Sequence, residues 1–279
     1  MLKDHHFFTV QDSVLNIGHR GARSHWTENT LKSFEIALDN DVDGIELDVI
    51  VTKDQQLMVY HDAYINPELS AFNDGSKIGK KKRIIYHNYT QQEIKEQFNI
   101  SAHKHPEFKD QQRNPTTAML SLDEFVEWLS SQKKIPLIFF EVKFDPKHLD
   151  WFPSKEFYLK LILNFIQSFP YPEKLILMSA NHDFISALQG AHPEGLFALI
   201  HKKLFENAVN LARAHSAQII LPHYRLINAK KINEIKDLGK FVFPWTVNKS
   251  NLWKRLIQQK VNGIISDDPQ GLNNCLKEL

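Results

Sequence analysis

Strand-sized runs of β-branched, aliphatic and aromatic residues alternate with helix-sized amphipathic stretches along most of this chain, and that alternation limits the folds open to it. The strand candidates are residues 14–18, 44–51, 57–61, 136–142, 174–178, 196–200, 218–221, 241–245 and 263–265. Helical patterns fall between many of them, over 30–38, 121–129, 155–169, 182–189, 203–215, 228–238 and 250–259. Ser121 and Glu124 stand at the spacing of a capping box, where each side chain satisfies a free backbone N–H of a first helical turn. A strand lying parallel to its predecessor needs a long, usually helical crossover, and such crossovers are right-handed. If 44–51 and 57–61 are counted as separate strands, the series approaches the eight units of a closed (β/α)8 barrel. An open doubly wound sheet is the alternative, but no Gly-x-Gly-x-x-Gly turn follows any strand candidate.

Residues 62–119 break the rhythm with turn formers such as Asn66-Pro67 and Asn73-Asp74-Gly75. Within them Thr90 and Glu93 form a second capping-box spacing, opening a short helix to about residue 98. The segment reads as an insertion after the strand ending at His61, inside one domain spanning 1–279. Composition sets further limits. With 42% hydrophobic residues the chain has the apolar mass for a core, which excludes intrinsic disorder. Its 34 Lys and Arg against 33 Asp and Glu remove the electrostatic case for a nucleic-acid partner. Cys275 stands alone, so neither an intrachain disulfide nor a thiolate metal site is available. No apolar run reaches the roughly 18 residues of a membrane span, and residues 1–8 lack a secretory pattern. The expectation is a cytoplasmic protein without a transmembrane segment, its oligomeric state open and a homo-oligomer included.

Polar residues gather where the strand candidates end, and barrel active sites are built at C-terminal strand ends. The first candidate runs into His19-Arg20-Gly21, the third ends in His61-Asp62, and the fourth runs into Glu141-Val142-Lys143. Glu46 and Asp48, two apart in the second, leave the same face of that strand. Any one of these has a plainer reading, as an exposed strand residue, a structural ion pair or a hydrogen-bonded histidine. Together they converge on one mouth, and charges inside strands are costly unless paired or bound to a metal. Glu46, Asp48 and Glu141 offer hard oxygen ligands suited to Mg²⁺ or Ca²⁺. Arg20 and Lys143 supply fixed positive charge for an anionic, phosphoryl group. His19 and His61 have the ordinary pKa for dividing acid and base work. Phosphodiester cleavage fits this set better than acyl transfer, for which there is no nucleophile elbow.

With those residues in view, the sequence resembles the glycerophosphodiester phosphodiesterase family. The resemblance is carried by His19-Arg20-Gly21, Glu28-Asn29-Thr30, Phe34, Ala37, Gly44-Ile45-Glu46-Leu47-Asp48-Val49, Thr52-Lys53-Asp54 and His61-Asp62. It continues through Leu120-Ser121-Leu122-Asp123-Glu124, Glu141-Val142-Lys143, Trp245-Thr246-Val247-Asn248 and the run from Gly263 to Pro269. It implies a TIM-type barrel and one divalent cation on Glu46, Asp48 and Glu141. It also implies His19 and His61 as the acid–base pair, Arg20 and Lys143 on the phosphate, and Trp245 lining the substrate pocket. The implied substrate is a glycerophosphodiester, split into glycerol 3-phosphate and an alcohol. The chain departs from the family at Trp26-Thr27, where a proline is common, at Gln55-Gln56, and at Ala63-Tyr64-Ile65 leading into the insertion.

Two other functions stay open at this level: a lysophospholipase D-type activity on the same barrel, and a non-catalytic phosphoglycerol-binding module. An apolar groove built by the insertion beside Trp245 would favour the first. Other features carry plainer expectations. The basic run 80–83 is a solvated turn, His103-Lys104-His105 an exposed loop, and His5-His6 a frayed terminus. Phe7, Phe8 and Trp151-Phe152-Pro153 are packing residues. His223 and Tyr224, just beyond a strand end, are placed to contact substrate.

Overall fold

The computed structural model describes residues 13–79 and 83–278. The strands are β1 (Leu15–Gly18), β2 (Gly44–Val51), β3 (Leu57–Val59), β4 (Ala71–Phe72), β5 (Phe98–Asn99) and β6 (Leu120–Ser121). They continue with β7 (Leu137–Val142), β8 (Leu175–Ser179), β9 (Leu196–His201), β10 (Ile219–Pro222), β11 (Phe241–Val242) and β12 (Gly263–Ser266). The helices are α1 (Leu31–Asp39), α2 (Gln91–Gln97), α3 (Leu122–Ser130), α4 (Lys155–Ser168) and α5 (His182–Ala191). They end with α6 (Ala208–Ala214), α7 (Ala229–Asp237), α8 (Ser250–Gln258) and α9 (Pro269–Lys277). Eight strands pair in parallel in the order β11-β10-β9-β8-β7-β2-β1-β12. Backbone bonds join the two ends of that list. Asn262 N–H donates to the Val242 carbonyl, Ile265 N–H to that of Pro244, and Val247 N–H to that of Ile265, each at 3.0 Å. The sheet is thus closed into the expected (β/α)8, TIM-type barrel.

Alternation along each strand decides what fills it. Inward positions, among them Leu15, Ile17, Phe139, Met178, Ala198, Leu221, Phe243 and Ile265, form one buried interior cluster. Gly263 keeps that interior open to Phe243, since a Cβ there would run into the ring. Outward positions such as Ile45, Leu47 and Val49 pack beneath the helices with Phe34, Phe125 and Leu129. Strand β2 is therefore buried on both faces, as parallel barrel strands are. Its inward residues Glu46 and Asp48 lie above the apolar layers, with Asp48 beside Glu141 in register on β7.

Residues 57–61 do not supply a barrel strand. β3 ends at Val59 and runs antiparallel to the outer end of β2, pairing Val49 with Val59 and Val51 with Leu57. Residues 52–56 are enough for a hairpin and too few for a helical crossover, so an antiparallel return is the geometry available. Strand β6 extends this flap antiparallel to β3. Residues 62–119 then pack Ile65, Tyr86, Ile94, Phe98 and Met119 on Ile50, Met58 and Tyr60, a third cluster outside the barrel. Both capping boxes form, at Thr90 and Ser121. Helix α6 starts at Ala208, five residues later than the apolar pattern implies, and α9 has no counterpart in it. Asp268 as N-cap and Pro269 at the first helical turn are the local signals for α9. No helix among the described residues is long and apolar enough to cross a membrane. His5, His6, Phe7, Phe8 and Lys80 to Lys82 lie outside the described residues.

Candidate active site

Strand β1 delivers His19 to the mouth and then turns sharply, with Arg20 and Gly21 both at positive φ, 52° and 86°. A side chain at Gly21 would be strained by that φ and would crowd the backbone of Ser33 on α1. The turn points the Arg20 N–H at Glu46, 2.9 Å from Oε2. Its guanidinium is held by Glu28, 2.6 Å from Nη1, and by Asp48, 3.1 Å from Nε. Asn29, also at positive φ, donates from Nδ2 to Asp48 Oδ2 at 2.8 Å. Across the mouth Lys143 Nζ bridges Asp48 Oδ1 and Glu141 Oε1, 2.7 Å from each.

Carboxylate oxygens of Glu46, Asp48 and Glu141 lie within 4.8 Å of one another. Their charges are unevenly met. Lys143 and Arg20 hold the Asp48 carboxyl well below the usual range against the cost of burial. Burial, with Asp48 and Glu141 as like-charged neighbours, pushes Glu46 well above it. Glu46 Oε1 is buried with no hydrogen-bond partner. An orphaned hard oxygen beside two further carboxylates is the donor set a divalent cation of the Mg²⁺ or Ca²⁺ kind requires.

Each histidine is tethered through Nδ1. His19 meets Asp267 Oδ1 at 2.6 Å, and His61 meets Asp62 Oδ1 at 2.9 Å. His19 Nε2 then stands 3.9 Å from Glu46 Oε2. Burial lowers the pKa of His19, opposed by Asp267. Asp267 is depressed to about 2: burial opposes the shift, and His19 and Arg23 drive it. Asn248 donates to its other oxygen at 2.6 Å. Arg23 links Glu28 to Asp267.

His19, Arg20, Glu46, His61, Glu141, Lys143 and Trp245 line one cavity of about 70 Å³, with Asp48 just behind. The structure thus brings together His19, Arg20, Glu46, Asp48, His61, Glu141, Lys143 and Trp245, the residues the sequence offered for acid–base work, phosphate, metal and pocket. It adds five supporting residues: Glu28, Asn29, Asp62, Asn248 and Asp267. Trp245 is fixed by its indole N–H, 2.7 Å from the Leu221 carbonyl, and the wall beside it is Met178, Ile200, Leu221 and Ile265. None of the described residues of 62–119 lines this cavity or builds a groove beside Trp245; they border an adjoining cleft through Asp62, Tyr64, Glu68 and His105. Two expectations are corrected here. His105 is buried, only 6% exposed, because its ring bonds Arg23 and the backbone of Glu107. His223 does not line the cavity but packs edge-on behind Trp245, at 5.7 Å. A larger groove of about 690 Å³, between Trp26, Leu31, Met119 and Trp128, lies outside the barrel and has no histidine in its lining.

The sequence model of the glycerophosphoryl diester phosphodiesterase family matches residues 19–271. A glycerophosphodiester phosphodiesterase of Caldanaerobacter subterraneus subsp. tengcongensis is 28% identical over 95% of this chain and 98% of its own. A crystal structure from Silicibacter pomeroyi DSS-3, provisionally named a glycerophosphoryl diester phosphodiesterase, superposes with a TM-score of 0.88. It shares 21% identity over 96% of this chain and 95% of that one. An Oleispira antarctica phosphodiesterase, solved with its product sn-glycerol-3-phosphate, superposes at 0.76. Its identity is 18%, over 95% of this chain and 97% of that one. At these identities the two structures show a shared fold.

Proposed function

The chain belongs to the glycerophosphoryl diester phosphodiesterase family, and on that premise we propose that it hydrolyses glycerophosphodiesters to glycerol 3-phosphate and an alcohol, using His19 and His61 as acid and base. The observation that carries this reading is the pair of tethered histidines facing one cavity with the carboxylate cluster. A proton on Nδ1 shared with aspartate leaves Nε2 of each ring for the reaction. One ring takes the proton of an attacking hydroxyl, the neighbouring glycerol hydroxyl in the course we favour. The other gives a proton to the departing alcohol. Opening the resulting cyclic phosphate with water reverses the two roles. Lys143 and Arg20 stay protonated in the site, their burial outweighed by the carboxylates around them, and supply the positive charge for the phosphoryl oxygens. Glu46, Asp48 and Glu141 would hold the divalent cation, Mg²⁺ or Ca²⁺. When bound, it supplies charge neutralisation and Lewis acidity at a phosphoryl oxygen.

The product found in the Oleispira enzyme supports glycerol 3-phosphate as the retained half of the substrate. Release of glycerol 3-phosphate from glycerophosphocholine or glycerophosphoethanolamine by the purified protein, with Mg²⁺ or Ca²⁺ present, is the test. Binding of several such diesters without release from any would overturn the reading in favour of a non-catalytic module.

A further inference from the structure

The rim of the mouth is chemically lopsided. Among the described residues the large exposed hydrophobic side chains are Leu149, Leu204, Phe205 and Leu238. Leu149 lies on the loop after β7, and Leu204 and Phe205 on the loop after β9, so three of the four stand at C-terminal strand ends beside the active site. Leu204 is 73% exposed and Phe205 100%, an arrangement that hydration of apolar surface opposes unless something else covers it.

Around Leu204 and Phe205 the exposed charge is mainly positive, whereas Leu149 has the exposed Asp145 and Asp150 beside it along with Lys147. Lys202 and Lys203 directly precede the apolar pair, Arg225 stands on the loop after β10 and Lys249 on that after β11, all exposed. The strand-end loops of this arc, residues 180–181, 202–207, 223–228 and 243–249, contain a single carboxylate, Glu206, with exposed Asp183 following in the first turn of α5. Glu206 is turned inward to His182 and His201, 3.9 and 4.0 Å away. Lys202 also lines the catalytic cavity, so the arc is continuous with the site. The adjoining cleft bordered by the insertion is of mixed charge, with Asp62, Glu68 and Glu107 beside Arg23.

We propose that this arc is a lipid-contact surface, with Leu204 and Phe205 entering the interface of an anionic bilayer. Lys203, Arg225 and Lys249 meet the headgroups. Short apolar loops flanked by cations give weak, reversible, salt-sensitive attachment of this kind. A second copy of the chain is a poor occupant, because a self-complementary contact would bring two basic arcs face to face. Attachment by the arc sets the cavity and its apolar wall against the membrane.

Sedimentation of the full chain with phosphatidylglycerol vesicles and with phosphatidylcholine vesicles, in chelator so that no cation bridges protein and lipid, tests the surface without any turnover. The protein should pellet with the anionic vesicles, less so in high salt, and more weakly with the neutral ones. Leu204→Ser with Phe205→Ser should lower the bound amount by about tenfold, with the melting temperature and the rate on glycerophosphocholine unchanged. Lys203→Glu should weaken binding to phosphatidylglycerol and leave phosphatidylcholine binding as it was. Wild-type protein that stays in the supernatant, or a double variant that pellets like wild type, overturns the proposal. So does a double variant that turns a dimer into a monomer with vesicle binding intact. Vesicle binding as described without hydrolysis of any diester would count against the enzymatic reading alone.

Discussion

His19 and His61 are fastened at Nδ1 to one aspartate each, and the two differ in their surroundings: His19 is buried, whereas the His61 side chain is 36% exposed. Alanine at either position should lower kcat by about 100-fold or more, the size of an acid–base contribution. A diester with a p-nitrophenol leaving group separates the roles, because so good a leaving group needs no protonation. The variant that regains rate on it has lost the acid, and the one that does not has lost the base. Equal recovery in both would sink the two-histidine scheme. Asp267 acts through His19. It raises the pKa of His19 against burial, so in Asp267→Asn the His19 limb of the pH–rate profile should move to lower pH. An unmoved profile would reduce Asp267 to packing. This partnership was invisible in the sequence, where 248 positions separate the two residues. Glu46 and Asp48 were legible because a spacing of two on a strand fixes a shared face.

At the scale of elements, the turn after β1 positions more of the site than any helix does. Arg20 and Gly21 at positive φ aim one N–H at Glu46 and one guanidinium between Glu28 and Asp48. Gly21→Ala should cost about 1 kcal/mol or more from backbone strain alone. In a chain of this length that is a fall in Tm of about 2 °C or more. Its effect on kcat should be larger than that fall implies, since the Arg20–Glu46 contact moves with the turn. Parallel loss of rate and stability, repaired by cooling, would show a structural role only. Local signals were dependable here: Thr90 and Ser121 cap their helices as their spacing requires. What failed was composition taken without connection length. Residues 57–61 have strand chemistry, but the five residues before them fix an antiparallel flap on β2 and not a ninth participant in the barrel. Lys203 to Asn207 failed differently, as a helical pattern broken by an asparagine whose side chain caps α6 only from residue 207.

For the molecule as a whole, a net charge of +1 conceals a mouth where carboxylates and cations are in direct contact. Two groups of carboxylates act there in opposite directions with pH. Asp48, Glu28 and Asp267 are depressed, Asp267 to about 2. Their stabilisation is present above the ordinary carboxylate pKa and is lost as pH falls through the lowered values. Glu46 is raised above its ordinary 4.5, so its contribution is present below that value and is lost as pH rises through the raised one. Relative to the Glu46→Gln variant, metal-free wild-type protein should therefore lose stability as pH rises from about 5 to neutral, by the free energy of ionising Glu46 beside Asp48 and Glu141. A divalent cation inverts this, because it needs the ionised cluster and competes with the proton. At a hundredfold excess over Kd it should add about 2.7 kcal/mol, which for this size is about 5 °C in Tm at neutral pH. The increment should shrink as the solution is acidified toward pH 5, and vanish in Glu46→Gln with Asp48→Asn while that variant stays folded. A Tm that ignores Mg²⁺ and Ca²⁺ at neutral pH, in protein whose glycerophosphodiester hydrolysis survives chelation, would remove the cation from the site.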